Sequence, residues 1–140
     1  MTDTPKHSVS VAGVVVNDAD QVLVIQRRDN GHWEPPGGVL ELTEAPEDGV
    51  AREVLEETGV KVTVDSLSGV YKNMERGIIS LVFRCTPVGG IEQTSEESLA
   101  VRWLKLQSID EKMTPAYRVR ITDAFKSGVN VRTHNGTDLL

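Results

Sequence analysis

Between Gly38 and Val60 the chain sets seven carboxylates, Glu41, Glu44, Glu47, Asp48, Glu53, Glu56 and Glu57, against one cation, Arg52. Three of them, Glu53, Glu56 and Glu57, stand at i, i+3 and i+4; on a helix they share one face, about 5–6 Å between neighbours. Like charges so close repel, and a fold that keeps them together needs a compensating cation. A hard divalent metal is one: it takes oxygen ligands and is commonly held by one or two carboxylates plus substrate phosphates. Most acidic runs are solvated helix faces, and periodicity alone leaves that alternative open. Three details weigh against it. The Gly37-Gly38 pair before the run and Gly59 after it mark a loop, a helix and its stop. Pro46 falls where a first helical turn tolerates proline. Val50, Val54 and Leu55 recur at i, i+4 and i+5, giving the helix a side to bury opposite its acids.

The spacing also resembles a known signature. Gly38, five residues, Glu44, seven residues, then Arg52-Glu53-Val54-x-Glu56-Glu57-x-Gly59-Val60 is similar, at every specified position, to the motif of the Nudix hydrolases. The flanks resemble the family too: a Val-Leu-Val-Ile-Gln-Arg strand over residues 22–27 and a Trp-Glu-x-Pro-Gly-Gly approach over 33–38. Thr43 departs from a site that is often glycine. Gly49 interrupts the helix where alanine is common, at a cost of about 1 kcal/mol. The resemblance implies an α/β fold, the Nudix α/β/α sandwich with a mixed β-sheet. It also implies Mg²⁺- or Mn²⁺-dependent hydrolysis of a nucleoside diphosphate linked to another moiety, by water attack at phosphorus.

That reaction needs metal ions gathered, a water oriented, its proton taken and the leaving phosphate neutralised. Glu56 and Glu57, consecutive carboxylates, are the best metal ligands; Glu53, one turn earlier, joins them or acts as base. Arg52 orients a neighbouring glutamate through a charge-assisted hydrogen bond. Gly37 and Gly38 let the backbone approach, so that a carbonyl there serves as a further ligand. Glu44 supports the cluster, whereas Glu47 and Asp48 suit the first helical turn, where the helix dipole favours acids. A base from a distant loop is also known in the family, and Glu96 and Glu97 are candidates, against the alternative of a solvated acidic loop. For substrate contacts the candidates are Arg27 and Arg28 for phosphates, Trp33 for stacking, and Tyr71, Met74 and Arg76 for the pocket edge. His7, His32 and His134 show no metal-ligand spacing. The proline that often follows the signature in ADP-ribose-hydrolysing members is missing, with Glu75 and Arg76 in that region. The Trp-Glu-x-Pro-Gly-Gly approach leans towards nucleoside triphosphate sanitisers, although Pro35 stands where the oxidised-guanine enzyme has an aromatic. The rival function is a non-catalytic Nudix module that binds a nucleotide and regulates a partner. Such modules have eroded glutamates; this chain has the full set.

A length of 140 residues suits one domain, with a polar tail from about 129 to 140 expected to be loosely ordered. There is no apolar run long enough to span a membrane, and residues 1–7 lack the pattern of a signal peptide. Cys85, the single cysteine, fits a reducing cytoplasm and reads as a buried structural thiol. A net charge of −6 argues against long nucleic acid as a partner, while a small-molecule nucleotide remains open because a metal carries positive charge into the site. The family resemblance implies a possible homodimer. Strands are expected over 8–16, 21–27, 61–72, 77–86 and 99–104, with a break at 87–90, an acidic helix over 46–58 and a second helix over 114–127 capped by Thr114.

Overall fold

The computed structural model describes residues 3–109 and 111–140. In chain order its elements are β1 Ser8–Val15, β2 Val22–Arg27, β3 Trp33–Glu34, β4 Gly37–Val39, α1 Pro46–Thr58, β5 Val60–Asn73, β6 Ile78–Gly90, β7 Ser98–Leu104, α2 Leu106–Ile109, α3 Pro115–Ala124 and β8 Asn130–His134. Two sheets form: a five-stranded one ordered β4-β1-β6-β5-β8 and a three-stranded one ordered β3-β2-β7. The first is mixed, with β1 parallel to β6 and antiparallel to β4, and β5 antiparallel to β6 and parallel to β8. The second is antiparallel throughout.

The layering follows from the period of two along β1 and β2. Val11, Val15, Leu23 and Ile25 point into one buried cluster with Val50 and Val54 of α1. Ala12, Val14, Val16, Val22 and Val24 point the other way, into a cluster with Ile121 and Ala124 of α3. Apolar residues on both strand faces thus give the chain a helix on each side, the α/β/α arrangement. Gly13 allows α1 to lie close on β1, since a Cβ there would sit 3.0 Å from Val54 Cγ2 and 3.2 Å from Cys85 Sγ.

The structure differs from the sequence reading in three places. β6 runs through Pro87 to Gly90, pairing with the start of β5 across a bulge at Lys61/Val62. Proline is tolerated there because the β1 partnership ends at Cys85, leaving that side of β6 an edge. Thr114 occupies the N-cap position of α3, but its side chain makes no capping hydrogen bond. The polar tail is not loose: residues 130–134 pair in parallel with Gly69–Asn73 as β8, and His134 is buried. The free edge of β5 supplies the backbone partners that the tail's own composition does not advertise. Among the described residues, no helix is long and apolar enough to cross a membrane.

Candidate active site

α1 is delimited much as its sequence requires. Ala45 is the N-cap in extended geometry, Pro46 opens the first turn with Glu47 and Asp48, and Gly59 ends the helix at φ 77°. A side chain at Gly59 would meet the Ile91 carbonyl at 2.2 Å, so both the left-handed backbone and the close approach need glycine there. Val50 and Val54 anchor one side of the helix in the core. Glu57, two turns after Val50, lies at the margin of that buried side, and with Glu53, Glu56 and Arg52 it borders a cavity of about 870 Å³. Its other walls come from Ile25 and Arg27 of β2, Glu34 of β3, residues 37–42, and residues 95–97 of the loop before β7.

Arg52 is the hub of the carboxylates. Nε donates to Glu44 Oε2 at 2.9 Å and Nη2 to Glu44 Oε1 at 2.5 Å, a two-pronged pair. Nη1 reaches Glu53 Oε1 at 2.9 Å and Glu56 Oε2 at 3.2 Å. Arg52, with the Glu41 N–H adding to it, holds the Glu44 carboxyl down to about 2. Glu44 therefore serves as the arginine's anchor. Gly49, a departure from the usual pattern, has a local reason: a Cβ there would sit 2.7 Å from Leu40 Cδ1 and 3.0 Å from Glu44 Oε1. The 40–44 loop packs on the helix at that point.

Glu57 is the acid Arg52 does not reach. It is 4% exposed, and its Oε2 is buried with no hydrogen-bond partner. Burial, then the Glu53 carboxylate beside it, then Glu34 and Glu97, push its carboxyl up to about 9. Burial likewise raises Glu34, with the Arg27 charge pulling against it. A buried carboxyl with an orphaned oxygen, surrounded by other carboxylates, is a donor set of hard oxygens short of positive charge. Gly38 makes room beside it: a Cβ at that position would lie 2.6 Å from Glu53 Cδ. Residues of this kind fit a divalent cation, although among the described residues no three acidic, histidine or cysteine groups already converge as a coordination sphere. Arg52 is what holds Glu53 and Glu56 as they are.

Of the sequence-predicted site residues, the structure brings together Arg27, Gly37, Gly38, Arg52, Glu53, Glu56, Glu57, Glu96 and Glu97 around the cavity. Trp33, Tyr71 and Arg76 do not line it. Trp33 packs half-buried against the α3-side core with the Lys112 ammonium 5.1 Å from its ring centroid. Tyr71 is fully buried and donates its hydroxyl to Asp123 Oδ2 at 2.8 Å. Arg76 and Met74 are exposed in the turn joining β5 to β6. Arg27 reaches the cavity already engaged, with Asp29 at 2.6 Å and Glu34 at 3.2 Å. Arg28 lies outside the lining and bonds backbone carbonyls. Sequence reasoning missed Glu34, Ser95 and the apolar rim of Val39 and Leu42. Glu34 lay inside the quoted 33–38 motif; the others carry no sequence signal.

Known proteins place these features in context. The sequence profile described as "NUDIX domain" matches residues 6–125. A "MutT-like protein" of Streptomyces ambofaciens is 58% identical over 140 residues, covering 99% of this chain and 91% of its own. An "ADP-ribose pyrophosphatase" of Methanocaldococcus jannaschii is 33% identical over 109 residues, 73% of this chain and 64% of that protein. Among solved structures, a NUDIX hydrolase from Nitrosomonas europaea superposes with a TM-score of 0.79 at 21% identity, covering 94% of this chain and 82% of its own.

Proposed function

Since the chain belongs to the Nudix family, we propose that it is a Mg²⁺- or Mn²⁺-dependent pyrophosphohydrolase that cleaves the diphosphate linkage of nucleoside triphosphates or nucleotide derivatives. The observation that carries this reading is Glu57: a buried carboxyl with an orphaned oxygen, beside Glu53, opening on a cavity large enough for a nucleotide. Glu53, Glu56 and Glu57, with a backbone carbonyl of Gly37 or Gly38, would hold the metal. When bound, it supplies positive charge to the diphosphate and lowers the pKa of a nearby water.

The chain's own residues do the rest. Water attacks one phosphorus, the bridging P–O bond breaks, and the other phosphate leaves with the electron pair. The water's proton passes to a carboxylate. Arg52 already donates a hydrogen bond to Glu53, so that carboxylate is engaged by the arginine. Glu97 lines the cavity, its charge is felt at Glu57, and no hydrogen bond or ion pair occupies its carboxylate among the described residues. We therefore assign the base to Glu97 rather than to Glu53 or Glu96. Arg52, fixed by Glu44, keeps Glu53 and Glu56 in place. Val39 and Leu42 give the cavity mouth an apolar rim on which the group beyond the diphosphate can rest.

The test is a panel of nucleoside triphosphates, oxidised guanine nucleotides, nucleotide sugars and ADP-ribose, with Mg²⁺ or Mn²⁺ and detection of released phosphate or nucleotide. ADP-ribose is included because of the activity in the archaeal relative's name. Turnover of at least one diphosphate, abolished by chelation, is expected. No turnover of any of them, or turnover indifferent to chelator, contradicts the proposal.

A further inference from the structure

The loop that carries Glu97 is fastened to the end of β2 by one residue. The Arg28 backbone N–H donates to the Glu97 carbonyl at 2.9 Å, its Nε to the Glu96 carbonyl at 3.0 Å and its Nη2 to the Ser98 carbonyl at 3.1 Å. Three successive loop carbonyls are thus gripped by Arg28. The main-chain N–H holds the central one, and the guanidinium bridges the two that flank it with its rigid fork of N–H donors; a lysine ammonium is a point charge on a flexible stem. The bulge at Gln26/Arg27, where β2 leaves its regular pairing with β7, aims Arg28 at the loop.

On its other side the loop is tied to α1. Ser98, fully buried, donates through Oγ to the Glu57 carbonyl at 3.4 Å and accepts from the Ser95 N–H at 3.0 Å. Ser95 Oγ in turn accepts from the Glu97 N–H at 3.2 Å. Both main-chain groups of Glu97 are therefore held, one from β2 and one through the serines from the last turn of α1. Arg28 is exposed and makes no ion pair among the described residues, so its hydrogen bonds go to carbonyls instead of an acid. An exposed loop held this firmly from two sides fixes where its side chain starts.

We propose that Arg28 is a positioning residue for the hydrolysis, holding the 96–98 backbone so that the Glu97 carboxylate stands across the cavity from Glu57. The inference rests on the base role given to Glu97 above. It gives Arg28, which does not line the cavity, a different role from the substrate-phosphate contact expected from sequence.

The experiment compares wild type, Arg28→Ala, Arg28→Lys, Glu97→Gln and the Arg28→Ala/Glu97→Gln double variant, with kcat and KM measured separately and hydrogen exchange followed over residues 95–98. Loss of a general base lowers kcat by about 10²-fold or more in Glu97→Gln. Arg28→Ala should lower kcat by about tenfold with KM nearly unchanged, speed exchange in the loop, and add nothing to Glu97→Gln in the double variant. Arg28→Lys keeps the main-chain bond to Glu97 but cannot bridge the Glu96 and Ser98 carbonyls with a fixed fork, and should recover little. Losses that multiply in the double variant overturn the proposal. So does a rise in KM alone, which would make Arg28 a phosphate contact. Full kcat in Glu97→Gln beside an inactive Glu57→Gln also overturns it while leaving the hydrolase reading intact. A wild type that turns over nothing fails both.

Discussion

Two adjacent glycines separate structure from chemistry at the scale of single residues. A methyl at Gly37 would lie 2.3 Å from the Val11 carbonyl, a backbone atom in the β1–β4 pairing, whereas the three atoms nearest one at Gly38 all belong to the Glu53 carboxylate, the far end of a side chain. Gly37→Ala should therefore destabilise the fold, read as a lowered Tm. Gly38→Ala should keep its Tm and lose kcat, because Glu53 is displaced from its place beside Glu57. Glu57 gives a second prediction, through its proton. In the metal-free protein its carboxyl is pushed up to about 9, chiefly by burial, whereas in the unfolded chain a glutamate titrates near 4.3. Between those values the folded state holds a proton that the unfolded state has released, so stability falls as pH rises. Thermal melts in chelator should show that decline between about pH 5 and 9, and Glu57→Gln should flatten it. Binding of Mg²⁺ at neutral pH should release a proton, measurable by calorimetry in buffers of different ionisation enthalpy. An unchanged heat across buffers would contradict the protonated Glu57.

At the scale of elements, β8 is held to α3 by a buried charge. Asp123, fully buried on α3, accepts from Arg132 of β8 at 2.7 and 2.8 Å and from the Tyr71 hydroxyl. Burial alone would raise its pKa, but the hydrogen bonds from Arg132 and Tyr71 and the charges of Arg132 and Lys126 outweigh it and hold it below the ordinary carboxylate range. The stability it contributes is thus present above the unfolded value near 3.9 and is lost as pH falls through the lower folded value. Arg132→Ala strands most of that charge and should cost about 3 kcal/mol at neutral pH, measured by denaturant unfolding. A cost below about 0.5 kcal/mol, the usual worth of an exposed pair, would mean that β8 is not secured this way. The pairing of β8 also explains why the tail was illegible. Asn130 to His134 carries no apolar alternation, and the strand edge that pairs with it, on β5, is distant in sequence. α1 is the opposite case, since its limits are written in Pro46 and Gly59 and its inner side in Val50 and Val54.

For the whole molecule, what could be read from sequence was the family and its class of hydrolase, and what could not was the substrate side. Metal chemistry demands carboxylates at fixed helical spacing, so Glu53, Glu56 and Glu57 stand out in any reading of the chain. The aromatics expected to meet substrate serve the core instead: Tyr71 is enclosed beside Asp123, and Trp33 packs under Lys112. Nothing local distinguishes an aromatic that stacks on a ligand from one that packs on a sheet. Glu97 was legible only as one of two acids in a polar loop, because its placement depends on Arg28, about seventy residues earlier, and on a serine tie to α1. The two sheets bring these separate segments to one cavity, with the acids of α1 on one wall and the 95–97 loop on another. The most direct test of that assembly is the Mg²⁺ dependence of kcat for Glu57→Gln against wild type, on whichever diphosphate the panel identifies. The variant should melt at or above the wild-type temperature and lose about 10²-fold or more in kcat, not restored by excess Mg²⁺. A Glu57→Gln variant that keeps wild-type kcat would show that the carboxylates of α1 are not the reaction centre.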